Sequence, residues 1–135
     1  MHITRRSFLS SSAIALIAGA FPFQAFANTV SYSPETFDKF ITSKKTFLLG
    51  VHAKWCSTCD RQNRVINALR AKGTPYETMT MLTVDWDENR SGPLISNYNV
   101  PRRSTLIMFK DGEEVGRIVA GTSTTDIKAL IDKGF

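Results

Sequence analysis

The chain has 135 residues, a length that accommodates one domain and hardly two. Apolar residues make up 42% of it and charged residues 21%, which is ordinary for a globular protein and excludes a low-complexity chain. The formal net charge is +5, of which Arg5 and Arg6 supply two, and the scattered remainder forms no basic stripe, so we expect no nucleic-acid partner.

The first 27 residues have the order of an export signal. Thr4-Arg5-Arg6-Ser7-Phe8-Leu9 resembles the twin-arginine pattern, an apolar run follows, and Ala25-Phe26-Ala27 has the small-x-small form of a cleavage site. The apolar run is shorter than the roughly 20 residues that span a bilayer, although an uncleaved membrane anchor stays open as an alternative. We therefore predict a removable signal peptide at 1–27, a mature domain at 28–135 without a stable membrane anchor, and export to the periplasm.

The first half of the mature chain predicts two helices around a buried strand. Ser33 is placed to cap a helix that has Pro34 at its first position. The run from Phe47 to Ala53 is apolar and predicts a buried central strand. From Cys59 to about Lys72 the apolar residues recur at helical spacing, and Gly73 ends the helix.

The second half predicts three more strands and two more helices. In chain order they are a strand from Thr78 to Asp85, a short helix from Ser91 to Tyr98, a strand from Thr105 to Lys110, a strand from Glu114 to Ala120 joined to it by an Asp111-Gly112 hairpin, and a final helix capped by Ser123. A helical crossover joins the first two strands, which predicts that they are parallel, and the hairpin adds an antiparallel edge. We therefore predict an α/β domain with a central mixed sheet flanked by helices on both faces.

The only two cysteines stand in Trp55-Cys56-Ser57-Thr58-Cys59, where the predicted central strand meets a predicted helix. Two residues between the cysteines, in a turn that opens a helix, allow the sulfurs to bond to each other. The unpaired backbone N–H groups of the helix N-terminus favour a thiolate at Cys56, and such a position lowers the pKa of a thiol. The pattern predicts thiol–disulfide exchange, in which Cys56 attacks a substrate disulfide and Cys59, expected to be more buried, releases the product.

The segment Phe47–Cys59 resembles the strand and Trp-Cys-x-x-Cys site of the thioredoxin family. Tyr98–Gly112 resembles the family's later stretch that ends in Thr-Leu-x-x-Phe-Lys-x-Gly, and Gly121 and the final helix fall in matching places. The resemblance covers nearly all of the mature chain. It implies a thioredoxin-like fold, exchange with protein thiols and disulfides, and a monomer. The residue types at the motif are compatible with reduction, oxidation or isomerisation, and of these directions we expect a reductant. Because no nucleotide, flavin or phosphate-binding motif is present, we expect no cofactor, so that electrons pass through another protein such as a membrane thiol-electron carrier.

Three positions depart from the thioredoxin pattern. Ser104 stands where the family has a cis-proline, and because a cis bond before a non-proline residue costs about 2.5–4 kcal/mol, we expect a trans bond or a different loop. Gly50 stands where the family buries an aspartate that moves a proton for the second cysteine. That relay is predicted to be absent or replaced by water, with His52 as an alternative proton shuttle. Ser57-Thr58 replaces the usual Gly-Pro.

Further side chains are expected around the cysteines if the family arrangement holds. The Ser104 hydroxyl either contacts the Cys56 sulfur, which would favour the thiolate, or belongs to a surface loop. Trp55 and the Arg102–Ser104 loop form the expected partner groove, with Thr105 beside it. The cations expected to add positive potential there, and so to favour the reduced form, are Lys54, Arg61, Arg102 and Arg103.

Three alternatives to disulfide exchange remain open at this point. A structural zinc site also uses Cys-x-x-Cys, but it needs four ligands, and the mature chain has only one histidine. A purely structural disulfide suits an oxidising compartment, although a bridge that closes so short a loop removes little unfolded-state entropy. The fold can also serve as a binding module without turnover, and whether Cys56 is exposed and reactive is the observation that separates this alternative from disulfide exchange. The residues predicted to have structural roles only, with no metal bound, are Met79, Met81, Asp85, Trp86 and Asp87.

Overall fold

The computed structural model describes residues 28–135, so the predicted signal peptide at 1–27 lies outside the described residues. Within that range the chain forms five strands and five helices. They are β1 (Thr29–Ser31), α1 (Pro34–Thr42), β2 (Phe47–His52), α2 (Ser57–Arg70), β3 (Thr80–Asp85), α3 (Trp86–Asn89), α4 (Pro93–Asn97), β4 (Thr105–Lys110), β5 (Glu113–Val119) and α5 (Thr124–Asp132). Among these described helices, none has the length and apolar character needed to cross a membrane.

The strands form one mixed sheet in the order β1-β3-β2-β4-β5. β1 and β2 both run parallel to β3, as the helical crossover predicted for β2, whereas β4 is antiparallel to β2 and β5 is antiparallel to β4. The sequence analysis did not identify β1. Since β1 and β2 point the same way, the start of β1 lies at the opposite end of the sheet from the end of β2, where the cysteine segment begins.

Helices cover both faces of the sheet, as predicted. One face packs against α1 and α4 around an aromatic cluster, in which Phe37 meets a stacked pair formed by Phe47 and Phe109 with ring centroids 4.8 Å apart. The other face packs against α2 and α5, whose residues Ile66 and Ile127 are fully buried. The predicted mixed α/β sheet with helices on both faces is therefore confirmed.

Local capping and turn chemistry explain where several elements begin. The side chains of Ser33 and Ser123 each accept a backbone N–H from the third residue ahead, at 3.1 and 3.3 Å. Such bonds satisfy N–H groups that have no partner within the helix. Asp111 and Gly112 both have positive φ, +54° and +80°, as a two-residue hairpin of the predicted kind requires.

Two helical regions differ in detail from the prediction. The short helix predicted from Ser91 to Tyr98 is present as α4, Pro93–Asn97, whereas α3 before it, Trp86–Asn89, was not predicted. The Asp85 carboxylate begins α3 by accepting a backbone N–H at 3.1 Å, and Pro93 begins α4 at a position that needs no N–H donor. α2 begins at Ser57, two residues earlier than predicted, because Cys56 is its cap.

Candidate functional site

The two cysteines form a disulfide just beyond the end of the central strand β2. Cys56 and Cys59 have Cα atoms 5.3 Å apart, and they pack in a small cluster with Ala53 and the edge of Trp86. Trp86 is thus the packing residue that was predicted. Each cysteine is only 3% exposed, so Cys56 does not show in this oxidised form the exposure that would distinguish exchange from binding. The expectation that Cys59 is the more buried of the two is wrong here, because Ala53, Trp86 and Ser104 cover both cysteines.

Cys56 is the N-cap of the fourteen-residue helix α2. Its backbone is extended, with φ −96° and ψ 102°, and its Sγ accepts the backbone N–H of Cys59 at 3.2 Å. No backbone N–H of the described residues donates to the sulfur of Cys59. A helix N-terminus favours negative charge, and a hydrogen bond to a thiolate stabilises it over the thiol. The geometry therefore makes Cys56 the cysteine whose thiolate is favoured.

The Ser104 hydroxyl contacts both sulfurs. Its Oγ lies 3.1 Å from Cys56 Sγ and 3.2 Å from Cys59 Sγ, and the residue is 0% exposed. Since neither sulfur of a disulfide carries a proton, the hydroxyl is the donor in this form. The contact expected between Ser104 and Cys56 is present, and the alternative of a surface-loop serine is wrong. The bond before Ser104 is trans, as expected, and the cis bond found in the described range precedes Pro75.

Backbone hydrogen bonds hold Ser104 in place. Its φ is +62°, in the left-handed region that side chains with a Cβ disfavour. Its N–H donates to the carbonyl of Val51 at 2.8 Å, and its carbonyl accepts the N–H of Ala120, also at 2.8 Å. Ser104 thereby continues the sheet beyond β4 on both sides. These bonds offset the cost of the left-handed backbone and fix the direction in which the hydroxyl points.

Gln62 is a residue of the site that the sequence analysis missed. It is 2% exposed, and its Nε2 donates to the carbonyls of Ser104 and Gly121, both at 2.9 Å. A signal was available, because Gln62 precedes Ile66 and Leu69 at helical spacing and so places a polar side chain on the buried face of α2. A buried amide there must find hydrogen-bond acceptors, and it finds them in the loops beside the disulfide.

Trp55 and Arg103 form a second group at the site. Trp55 is 59% exposed, and its Nε1 donates to Asp87 Oδ2 at 2.8 Å. The guanidinium carbon of Arg103 lies 4.2 Å from the Trp55 ring centroid, at cation–π distance. Asp87, predicted to have a structural role only, therefore orients the tryptophan that precedes Cys56. The two parts of the expected partner groove are in contact.

Met81 occupies the space that a side chain at Gly50 would need. A Cβ added to Gly50 would lie 2.6 Å from Met81 Cε, so no side chain fits there unless Met81 moves. Met81 is thus a packing residue, as predicted. His52 lines a polar cavity of about 240 Å³ with Asp85 and Glu88, and neither cysteine is among its lining residues. No hydrogen bond joins His52 to either sulfur within the described part of the chain.

The remaining predicted neighbours are peripheral to the sulfurs. Ser57 is exposed and Thr58 is half-buried, and neither side chain makes a hydrogen bond within residues 28–135. Thr105 is buried and its hydroxyl donates to the Arg102 carbonyl at 2.7 Å, which shapes the loop before β4. Among the described residues, no three side chains of the types that bind metals come together.

The fold and the site together define a class of protein. A buried strand leads into a helix whose cap is the first cysteine of a Cys-x-x-Cys disulfide, beside a sheet with helices on both faces. This arrangement carries dithiol–disulfide exchange through a thiolate held at a helix N-terminus.

Comparison with known proteins identifies the family. The Thioredoxin family model matches residues 28–133. A thioredoxin of Chlamydia pneumoniae is 37% identical over 101 residues, which are 75% of this chain and 93% of that protein. A thioredoxin of Staphylococcus aureus is 33% identical over 87 residues, covering 64% of this chain and 79% of that protein. The crystal structure of Trxlp from Edwardsiella tarda EIB202 superimposes with a TM-score of 0.65 at 28% identity, over 76% of this chain and 97% of that one. The chain belongs to the thioredoxin family and is a thiol–disulfide oxidoreductase.

Proposed function

We propose that this oxidoreductase is an exported, periplasmic reductant of protein disulfides that works as a monomer. Export is supported by the order of arginines, apolar run and small-x-small site in residues 1–27. Reduction is supported by what surrounds Cys56. Within the described chain its sulfur is hydrogen-bonded by one backbone N–H and one neutral hydroxyl, and no Lys or Arg side chain is bonded to it. A strongly oxidising pair needs a reduced form that is more stabilised than these neutral donors supply.

The observation that carries the mechanism is the capping of α2 by Cys56 Sγ at 3.2 Å from the Cys59 nitrogen. In the reduced protein, the Cys56 thiolate attacks one sulfur of a substrate disulfide. A bond forms between Cys56 and that sulfur, and the other substrate sulfur leaves as a thiolate. Cys59 then loses its proton and attacks Cys56 Sγ, which re-forms the Cys56–Cys59 disulfide and releases the second substrate sulfur. The substrate gains two electrons and two protons in all.

Ser104 serves both steps. Negative charge resides first on Cys56 and then on Cys59, and the Ser104 hydroxyl lies within 3.1 and 3.2 Å of the two sulfurs. It can donate to whichever sulfur is charged without any movement of the backbone. The disulfide left at the end must be reduced by another dithiol. For an exported protein we propose that this donor is a membrane thiol-electron carrier.

The reduction potential of the Cys56–Cys59 pair tests the direction. Equilibration of the full chain against glutathione buffers, with alkylation of free thiols as the readout, should give a potential near about −270 mV. A value near about −120 mV would make the protein an oxidant and overturn the proposed direction. A chain with no reversible two-electron couple would be a binding module with a structural disulfide. Cys59→Ser is the mechanistic control, because it should trap the mixed disulfide between Cys56 and the substrate.

Export is tested by the paired substitution Arg5→Lys and Arg6→Lys. The natural chain, expressed in a bacterium with the twin-arginine route, should be recovered in the periplasmic fraction in a shortened form. The paired variant should remain in the cytoplasm at full length, although its net charge is unchanged. Equal recovery of both chains in the cytoplasm would refute export. Sedimentation of the oxidised chain tests whether the protein is a monomer, for which the mass of a single chain is expected.

A further inference from the structure

Arg103 is a cation beside the disulfide that has no counter-ion in the described part of the chain. The ion pairs found within residues 28–135 join other residues, Arg117 with Glu114 and Lys128 with Asp132. The Nε of Arg103 is buried and has no hydrogen-bond acceptor among the described residues. What holds the guanidinium is the face of the Trp55 ring, 4.2 Å away. A charge positioned so closely and left without an anion points to an anion supplied by a partner.

The Arg103–Trp55 pair is held next to the reacting sulfur from two sides. Arg103 directly precedes Ser104, whose backbone is fixed in the sheet and whose Oγ is 3.1 Å from Cys56 Sγ. Trp55 directly precedes Cys56, and Asp87 holds its ring through the 2.8 Å bond to Nε1. A substrate sulfur that approaches Cys56 therefore brings its neighbouring residues onto this pair.

No carboxylate of the described residues forms an ion pair with Arg103. Asp87 accepts from Trp55, Asp85 caps α3, and Asp85 and Glu88 line the polar cavity beside His52. Asp60 is exposed on α2. The charge of Arg103 can therefore attract an acidic partner segment and repel a basic one.

We propose that the Arg103–Trp55 pair selects protein substrates that carry a carboxylate directly beside the target cysteine. The proposal rests on the exchange reaction proposed above. A guanidinium stacked on an aromatic face keeps its outer N–H edge free, and that edge matches the two oxygens of a carboxylate. In an extended substrate peptide the residue beside the target cysteine lies about 3.3 Å farther along the chain. When the target cysteine reacts with Cys56, a Glu or Asp at that neighbouring position is therefore within reach of the Arg103 guanidinium.

Matched peptides test the preference. Each peptide carries one cysteine joined to a neutral 2-thiopyridyl group, with Glu, Gln or Lys on both sides of the cysteine. The Cys56 thiolate of the reduced full chain attacks the peptide sulfur and expels thiopyridone, whose absorbance is followed. Cys59 then displaces the peptide thiol and closes the disulfide. The rates are divided by those of dithiothreitol, which also attacks as a thiolate but carries no other charged group, and this removes the effect of each flanking charge on the intrinsic reactivity of the peptide.

The Glu peptide should react about two- to fivefold faster than the Gln peptide, which is the range of a partly exposed ion pair, and the Lys peptide should react more slowly. The preference should shrink at about 1 M salt, where charges are screened over about 3 Å. Arg103→Gln should abolish the Glu-to-Gln ratio. The matched control Lys72→Gln, which removes an exposed charge just beyond the far end of α2, about 20 Å from Cys56, should keep it.

Two results would overturn the proposal: equal normalised rates for the Glu and Gln peptides, or a Glu preference that Arg103→Gln retains. The readout is a ratio, so a general change in the reactivity of Cys56 does not affect it. Failure of the exchange function itself looks different. In that case no peptide would release thiopyridone faster with the natural chain than with Cys56→Ser.

Discussion

Replacing Ser104 by alanine removes the hydroxyl that lies 3.1 Å from Cys56 Sγ and 3.2 Å from Cys59 Sγ and leaves the backbone bonds of the residue in place. A hydrogen bond to a charged group contributes about 1.5–3 kcal/mol and one between neutral groups about 1 kcal/mol. The hydroxyl therefore favours the reduced, thiolate form by about 0.5–2 kcal/mol over the disulfide. Its loss should raise the pKa of the Cys56 thiol and reduce the thiolate-to-thiol ratio about two- to thirtyfold.

The same free energy lowers the reduction potential of Ser104→Ala by about 10–40 mV, because the reduced form is the one that loses the stronger bond. The assay is the rate of iodoacetamide alkylation of the reduced protein as a function of pH, together with the potential. The alkylation profile of Ser104→Ala should move to higher pH. Ser96→Ala, which removes an exposed hydroxyl from α4, should behave as the natural chain. Superimposable profiles and potentials for Ser104→Ala would refute the reasoning.

Three further substitutions test other parts of the structure. Gln62→Leu leaves buried backbone carbonyls without their amide donor, so it should lower the free energy of unfolding in urea by about 1–3 kcal/mol; no loss would show that water replaces the amide. Gly50→Asp should destabilise the fold by several kcal/mol in the same assay, because its carboxylate would be buried without a partner even after the flexible end of Met81 moves aside; a stable variant would show that the carboxylate finds a hydrogen-bond donor or water. Asp132→Asn tests the Lys128 hydrogen bond, which holds the pKa of Asp132 below its usual value. That stabilisation exists above the ordinary Asp pKa of about 3.9 and is lost as the pH falls. The melting temperature of Asp132→Asn should therefore be lower than that of the natural chain near pH 7 and equal to it near pH 2. A difference that does not change with pH would exclude the hydrogen bond as the cause.

Local chemistry made much of the fold predictable. Ser33 and Ser123 cap helices because a side-chain oxygen can satisfy a nearby N–H, and this information lies within three residues of sequence. The apolar run from Phe47 and the Cys56–Cys59 spacing likewise identify a buried strand that leads into an active-site turn. The parallel pairing of β2 and β3 followed from the helix that connects them.

The parts that escaped prediction depend on contacts between distant residues. The three residues of β1 become a strand only because β3 offers them an edge, and three residues are too few to show a periodicity. The placement of Ser104 against Cys56 joins positions 48 residues apart. Its hydroxyl points inward because the backbone is locked on both sides, and residue type alone does not reveal that. The sequence is sufficient to place Gln62 as a polar residue on the buried face of a helix, but it does not identify the Ser104 and Gly121 carbonyls to which Gln62 donates.

The position at which the chain enters the sheet determines which end of the molecule lies opposite the disulfide. β1 starts at Thr29 and runs parallel to β3, as β2 does, so the chain joins the sheet at the end away from Cys56. Anything attached ahead of Thr29, whether a tether, a fusion partner or a solid support, is therefore joined behind the reactive end of the molecule. An immobilised form coupled directly ahead of Thr29 would hold the disulfide outward, and captured mixed disulfides could be collected on it without blocking the approach of substrates.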